Sequence, residues 1–215
     1  MASDIKLYRG LEAYVDERVA DFDRIPDERK RTLEKLAAFV EKQQNAGEEA
    51  KLTFICTHNS RRSHLAQVWA QTAAGFYDIP MVATYSGGTE ATAFNPRAVA
   101  ALKRAGFRID NETTDGNSVY SVAPHDGAVP MRAYSKVYSD ETNPQRDFCA
   151  VMTCSQADKA CPSVTGASLR VAIPYDDPKA FDDTPQETEQ YDERCRQIAR
   201  EMLYVFSQVN RSKRL

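Results

Sequence analysis

The sequence predicts an α/β fold: a central parallel sheet with helices on both faces, preceded by an N-terminal helical extension. Two observations carry this. From Lys51 onward, short apolar runs alternate with segments of helical period, the pattern of a parallel sheet covered on both sides. Before Lys51 only the helical period is present. The expected division is therefore a helical extension over residues 1–50 and an α/β unit over 51–215.

In the extension, Leu7, Leu11, Tyr14, Val15 and Val19 keep a rough 3.6 period. Pro26 opens a second helix over Glu28 to Gln44, with Leu33, Leu36, Phe39 and Val40 on its apolar face, and Gly47 ends it. A helical pair packed on the following unit is the preferred reading, ahead of a dimerisation or partner-docking element. The first strand is Leu52 to Ile55, and His64 to Phe76 follows as a helix. Met81 to Ser86 reads as the second strand, broken by Gly87-Gly88. Asn95-Pro96 starts a helix that reaches about Ala105 and is capped by Gly106. Phe148 to Thr153 and Leu169 to Ile173 are further strands, and Gln186 to Val209 is a long final helix. Between them, Val119 to Val122 and Tyr134 to Tyr138 flank Asp126-Gly127 as the arms of an expected hairpin, either a flap over a site or a surface excursion.

The chemistry is concentrated where the first strand ends, at Cys56-Thr57-His58-Asn59-Ser60-Arg61-Arg62-Ser63. A loop running from a strand into a helix N-terminus gathers unpaired N–H groups and the positive end of the helix dipole, and Arg62 adds a planar fork for a tetrahedral oxyanion. Helix N-termini and cationic neighbours favour thiolates, so a cysteine at the mouth of such a loop is a candidate nucleophile. A cysteine that merely ends a buried strand needs no such turn, so the anion-site reading is preferred. Ser63 is expected to point its hydroxyl at the sulfur, and Asn59 to adopt the left-handed conformation that lets the loop curl.

Composition narrows the function. Among 215 residues, 42% are hydrophobic and 27% charged, and the net charge is −3, which offers no general attraction to nucleic acid or an anionic membrane. No run approaches a membrane span, and Met1 to Lys6 lacks a signal pattern, so a cytoplasmic protein is expected. Five cysteines at irregular spacing argue for thiols kept reduced until chemistry uses them. No metal site is expected, because His58, His64 and His125 show no ligand spacing with the cysteines. Cys149 and Cys195 read as small buried hydrophobes.

Cys-x5-Arg-Ser after a strand resembles the low-molecular-weight tyrosine phosphatase family and its arsenate reductase branch. Tyr85 to Glu90, Asn95 to Val99, Cys154 to Pro162 and Asp176-Asp177-Pro178 resemble successive landmarks of the thioredoxin-coupled arsenate reductases. The likeness runs from about Lys51 to Val209. His58 stands where the family usually has glycine, and Arg61 where a small residue or cysteine is usual.

The resemblance implies reduction of arsenate to arsenite with no bound cofactor and with thioredoxin as external reductant. Cys56 would be the nucleophile, Arg62 and the amides of Thr57 to Ser63 the oxyanion holders, Asp177 the proton donor, and Cys154 and Cys161 a redox pair. Seven residues of helix separate the last two by about 10.5 Å, whereas a disulfide needs alpha carbons within about 7 Å, so the pair closes only if the segment unwinds. The alternative is a phosphatase acting through a phosphocysteine, with no use for Cys154 or Cys161. An anion-binding module without turnover ranks behind both.

Overall fold

The computed structural model describes residues 7–113 and 116–209; residues 1–6 and 210–215, the ends of the two expected units, lie outside the described residues. Helices α1 (Arg9–Ala20) and α2 (Asp27–Asn45) come first, joined through a short 3-10 turn at Phe22–Arg24. Then follow β1 (Ala50–Cys56), α3 (Arg62–Phe76), β2 (Val82–Gly88) and α4 (Pro96–Arg104). Three short strands, β3 (Arg108–Asn111), β4 (Tyr120–Ala123) and β5 (Met131–Ala133), precede β6 (Phe148–Met152), α5 (Ser155–Ala160), β7 (Ala167–Ala172) and α6 (Glu187–Gln208).

The main sheet has the order β2-β1-β6-β7, and all its pairings are parallel. Period-two alternation sorts its side chains between two faces. Leu52, Phe54, Cys149 and Val151 join a large core that also holds Leu11, Val15, Leu33, Leu36 and Phe39 of the N-terminal helices. Ile55, Phe148, Ala150 and Met152 point the other way, into a smaller cluster with Ala157 of α5. Chain crossovers run outward from the centre in both directions, from β1 to β2 and from β6 to β7, so their helices α3 and α5 belong on opposite faces. The order reverses between β1 and β6, and the carboxyl ends of these two strands open a crevice there, where open α/β sheets take ligands. Cys56 ends β1 and Cys154 follows β6, one on each side of it.

The N-terminal helices share the main core. Tyr14 of α1 stacks on Trp69 of α3 at 5.4 Å between ring centroids, and Trp69 donates its indole N–H to Cys195 Sγ at 3.2 Å.

Two expectations are corrected. Gly87 and Gly88 do not break the second strand; they are its last two residues. Their absent side chains are a packing requirement: a Cβ on Gly87 would meet Tyr138 Cα at 2.3 Å, and one on Gly88 would meet Glu90 O at 2.2 Å and Asn59 N at 2.7 Å. The expected hairpin exists, but its return arm is Met131–Ala133, and β4 pairs also with β3, which the sequence reading left out. Of the four β3 residues only Ile109 is buried, so the strand carries almost no hydrophobic signal. The hairpin is not a flap over the loop. Its tip residue Asp126 accepts from Tyr8 and Arg108, against the start of α1. Tyr134 to Tyr138, expected as the arm, instead runs along the end of β2, with Gly88 N donating to Lys136 O and Tyr138 N donating to Gly88 O, each at 2.9 Å.

Candidate active site

The loop from Cys56 to Ser63 connects β1 to the first turn of α3, as expected, and Asn59 sits at φ +44°. Its carbonyls are turned outward. Cys56 O accepts from Thr89 N, Thr57 O from Glu90 N, Ser60 O from Asn95 N and Arg61 O from Leu65 N. His58 O accepts from the hydroxyls of Thr92 and Ser135. In a trans peptide the N–H points opposite to the C=O, so the amides of Thr57, His58, Asn59, Arg61 and Arg62 turn to the inner side. Converging N–H groups at a helix start form an anion-binding concavity.

A directed chain of hydrogen bonds ends on the sulfur. Lys136 N donates to Asn59 Oδ1 at 2.9 Å, which fixes the orientation of the Asn59 amide. Asn59 Nδ2 then donates to Ser63 Oγ at 2.9 Å, and Ser63 Oγ lies 3.1 Å from Cys56 Sγ. With its oxygen already accepting from Asn59, the Ser63 hydroxyl is placed to turn its proton toward the sulfur.

Arg62, at the head of α3, is buried and spends its fork on the loop after β7. One terminal nitrogen donates to Tyr175 O at 3.0 Å and the other to Asp177 Oδ2 at 2.6 Å. Asp177 also caps the next 3-10 turn through Lys179 N. Asp176, by contrast, is exposed, 3.6 Å from Arg194. Cys154 is buried as the N-cap residue of α5, accepting from Ala157 N at 3.3 Å, and its Sγ lies 3.5 Å from Thr57 Oγ1. Cys56 and Cys154 belong to the same buried cluster, with half-buried Cys161 packed against it at the far end of α5. All five cysteines are free thiols. Burial pushes Cys149 up to about 12 and Cys195 up to about 11, which leaves both inert near neutral pH.

Residues 51–213 match the family described as low molecular weight phosphotyrosine protein phosphatase. The chain belongs to this family. Its α1 and α2 lie outside the matched region. The chain is 32% identical over 125 residues to arsenate reductase 2 of Staphylococcus epidermidis, covering 58% of this chain and 76% of that one. With an arsenate reductase of Halalkalibacterium halodurans the identity is 30% over 135 residues, 62% of this chain and 78% of the relative. Among solved structures, a low molecular weight phosphotyrosine phosphatase from Vibrio cholerae O395 superimposes with a TM-score of 0.52 at 12% identity, covering 76% of this chain and 98% of that chain. A YwlE mutant from Bacillus subtilis gives 0.53 at 16%, covering 76% and 100%. At these identities the two structures speak for the fold alone.

The landmarks that carried the resemblance meet around the loop: Thr89, Glu90 and Asn95 donate to its carbonyls, Cys154 stands at Thr57, and Asp177 accepts from Arg62. The two departures from the family pattern both pair with groups outside the loop. The His58 ring is partly exposed, 3.9 Å from Glu90. Arg61 donates Nε to Tyr191 Oη at 2.7 Å and faces Asp182 at 3.4 Å, tying the loop to α6. Sequence reasoning missed Lys136 and Ser135, which act on the loop from behind, and Tyr175, whose carbonyl receives Arg62. The polar Tyr134-Ser135-Lys136 stretch was visible, but nothing local assigned it to the loop. No group of three or more His, Cys, Asp or Glu residues is arranged to hold a metal among the described residues, and no helix among them is long and apolar enough to cross a membrane.

Behind the loop, His64 is fully buried, stacked on Phe94 at 4.0 Å and 3.2 Å from Ser86 Oγ through Nδ1. Burial, with Lys136 as a lesser cause, pushes it from 6.5 down to about 3. Between those values the unfolded chain binds a proton that the folded one refuses, so this contribution to stability is complete above about 6.5 and is lost as pH falls toward about 3. Thermal unfolding across this window is expected to fall more steeply with acidification in the parent than in His64→Asn.

Proposed function

We propose that this chain reduces arsenate to arsenite by a relay of three cysteines, with thioredoxin restoring the thiols. The observation that carries this reading beyond simple oxyanion binding is Cys154, a second buried thiol at the mouth of the loop, 3.5 Å from the residue next to Cys56. The arsenate reductases among its relatives support the same reading.

Arsenate enters the amide concavity and competes with Asp177 for the Arg62 guanidinium. Asp177, so released, takes up a proton from solvent and passes it to an arsenate hydroxyl as the Cys56 thiolate attacks arsenic, and water leaves. The Cys154 thiolate then attacks Cys56 Sγ. The sulfur–arsenic bond breaks, its electron pair stays on arsenic, and arsenite departs with arsenic reduced by two electrons. Cys161 attacks Cys154, freeing the Cys56 thiolate and leaving a Cys154–Cys161 disulfide near the surface for the dithiol of thioredoxin.

This last step requires α5 to unwind. The helix is only six residues long, and Arg170, donating to Cys161 O and to Asp158, closes its final turn. The same loop and acid, without the other two thiols, suffice for hydrolysis of phosphate esters through a phosphocysteine. Thioredoxin-dependent NADPH consumption with arsenate, beside para-nitrophenyl phosphate hydrolysis, tests the two readings. In Cys154→Ser and Cys161→Ser, loss of arsenate turnover with ester hydrolysis intact supports the relay. No arsenate turnover in the parent, with the ester hydrolysed equally by all three proteins, establishes the phosphatase instead.

A further inference from the structure

Arg29 links the helical extension to the segment that carries Asp177. Arg29, in the first turn of α2, donates Nε and a terminal N–H to Glu201 Oε2 of α6 at 3.0 and 2.8 Å. The same terminal nitrogen lies 3.2 Å from Pro174 O, which it also donates to. The guanidinium carbon stands 4.9 Å from the centre of the Tyr175 ring. Glu201, 3% exposed, is therefore paired inside the protein, and the Tyr175 hydroxyl donates to its Oε2 at 2.8 Å. Burial and the neighbouring carboxylate hold Tyr175 protonated, as that donation requires. Pro174 and Tyr175 open the segment that receives Arg62 at Tyr175 O and, two residues on, presents Asp177.

We infer that Arg29, with Glu201, is a positioning device that lets α2 hold the 174–177 segment against Arg62, so that the extension is part of the catalytic unit. The inference rests on the reading of Asp177 as proton donor and Arg62 as oxyanion holder. A salt bridge serving stability alone would need no contact with the segment. Arg29 instead grips it three ways: through the Pro174 carbonyl, through the face of the Tyr175 ring, and through the carboxylate that takes the Tyr175 hydroxyl. The loop amides and the backbone of Arg62 at the head of α3 do not depend on this grip, so slackening it displaces the acid more than the groups that hold the anion.

Three full-length variants test it. Arg29→Met alone would strand a buried carboxylate, so Arg29→Met/Glu201→Met removes both charges at similar volume. Tyr175→Phe leaves the ion pair and removes one of its three links to the segment, the hydroxyl donated to Glu201. Arg29→Lys keeps the charge but lacks the planar fork that serves two acceptors. Amide hydrogen exchange of Tyr175 to Phe181 is expected to accelerate in the first two, with core strand amides as protected as in the parent. Turnover number, on whichever of arsenate and para-nitrophenyl phosphate the parent uses, is expected to fall about 10- to 100-fold as the acid is misplaced. Affinity for inorganic phosphate, measured by calorimetry, stays within about threefold, because the loss falls on the transition state. Arg29→Lys lies between parent and double variant in both readouts.

Unchanged exchange in the double variant, or an unchanged turnover number in a variant whose exchange has risen, overturns the inference. The exchange measurement does not depend on turnover. Should the parent process neither substrate while the exchange rises, the positional link between α2 and the segment stands and the functional reading alone falls.

Discussion

Cys56→Ser is expected to lower turnover of arsenate and of any phosphate ester by at least about 10⁴-fold, with the oxyanion still bound. The hydroxyl is a far poorer nucleophile than a thiolate, and the hydrogen-bond chain that serves Cys56 cannot compensate. That chain of Lys136 N, Asn59 and Ser63 delivers a donor to position 56, which steadies an anionic sulfur and offers no base to deprotonate serine. The amides of the loop keep their directions because their peptide partners remain bonded to Thr89, Glu90, Asn95, Thr92 and Ser135. Calorimetry with inorganic phosphate beside steady-state turnover separates the two effects. Loss of binding together with turnover would mean that Cys56 shapes the loop rather than attacking from it.

The second large effect belongs to Asp177. Asparagine at this position has no proton to give as an acid, and general acids of this kind contribute about 10²- to 10⁴-fold to rate. It also withdraws a carboxylate that lies 2.6 Å from Arg62 and competes with the entering anion. Asp177→Asn is therefore expected to cut the turnover number by about that factor while binding phosphate a few-fold more tightly, the gain being small because the carboxylate is partly exposed to solvent. A fall in both turnover and affinity would assign Asp177 to holding Arg62 in place.

The sequence offers these two residues as candidates for different reasons. The loop is a local object: Cys56, the left-handed Asn59, Ser63 and Arg62 lie within eight residues, so the requirements of a strand-to-helix anion site can be read along the chain. Asp177 entered only through the family resemblance, since an Asp-Pro pair otherwise reads as a turn. The alternating strand and helix pattern was legible as well, because buried parallel strands such as Phe148–Met152 are continuously apolar.

What could not be read was pairing between distant polar groups. Arg29 and Glu201 stand 172 positions apart, and each looks locally like a charge on the polar face of an amphipathic helix. Lys136 contributes to the loop through its backbone N–H, for which side-chain identity carries no signal. Gly87-Gly88 read as a strand break because glycine usually weakens strands, whereas the close approach of Tyr138 and of the loop itself explains the pair.

The most direct test of the relay is to trap it. Cys161→Ser, exposed to arsenate without reductant, is expected to stop after the second step with a Cys56–Cys154 disulfide. Intact mass would fall by about two hydrogens, one arsenite would appear per chain, and peptide mapping would link the segments holding residues 56 and 154. Arsenite release without that bond, or no oxidation of the variant by arsenate under conditions in which the parent forms a Cys154–Cys161 disulfide, would contradict the relay.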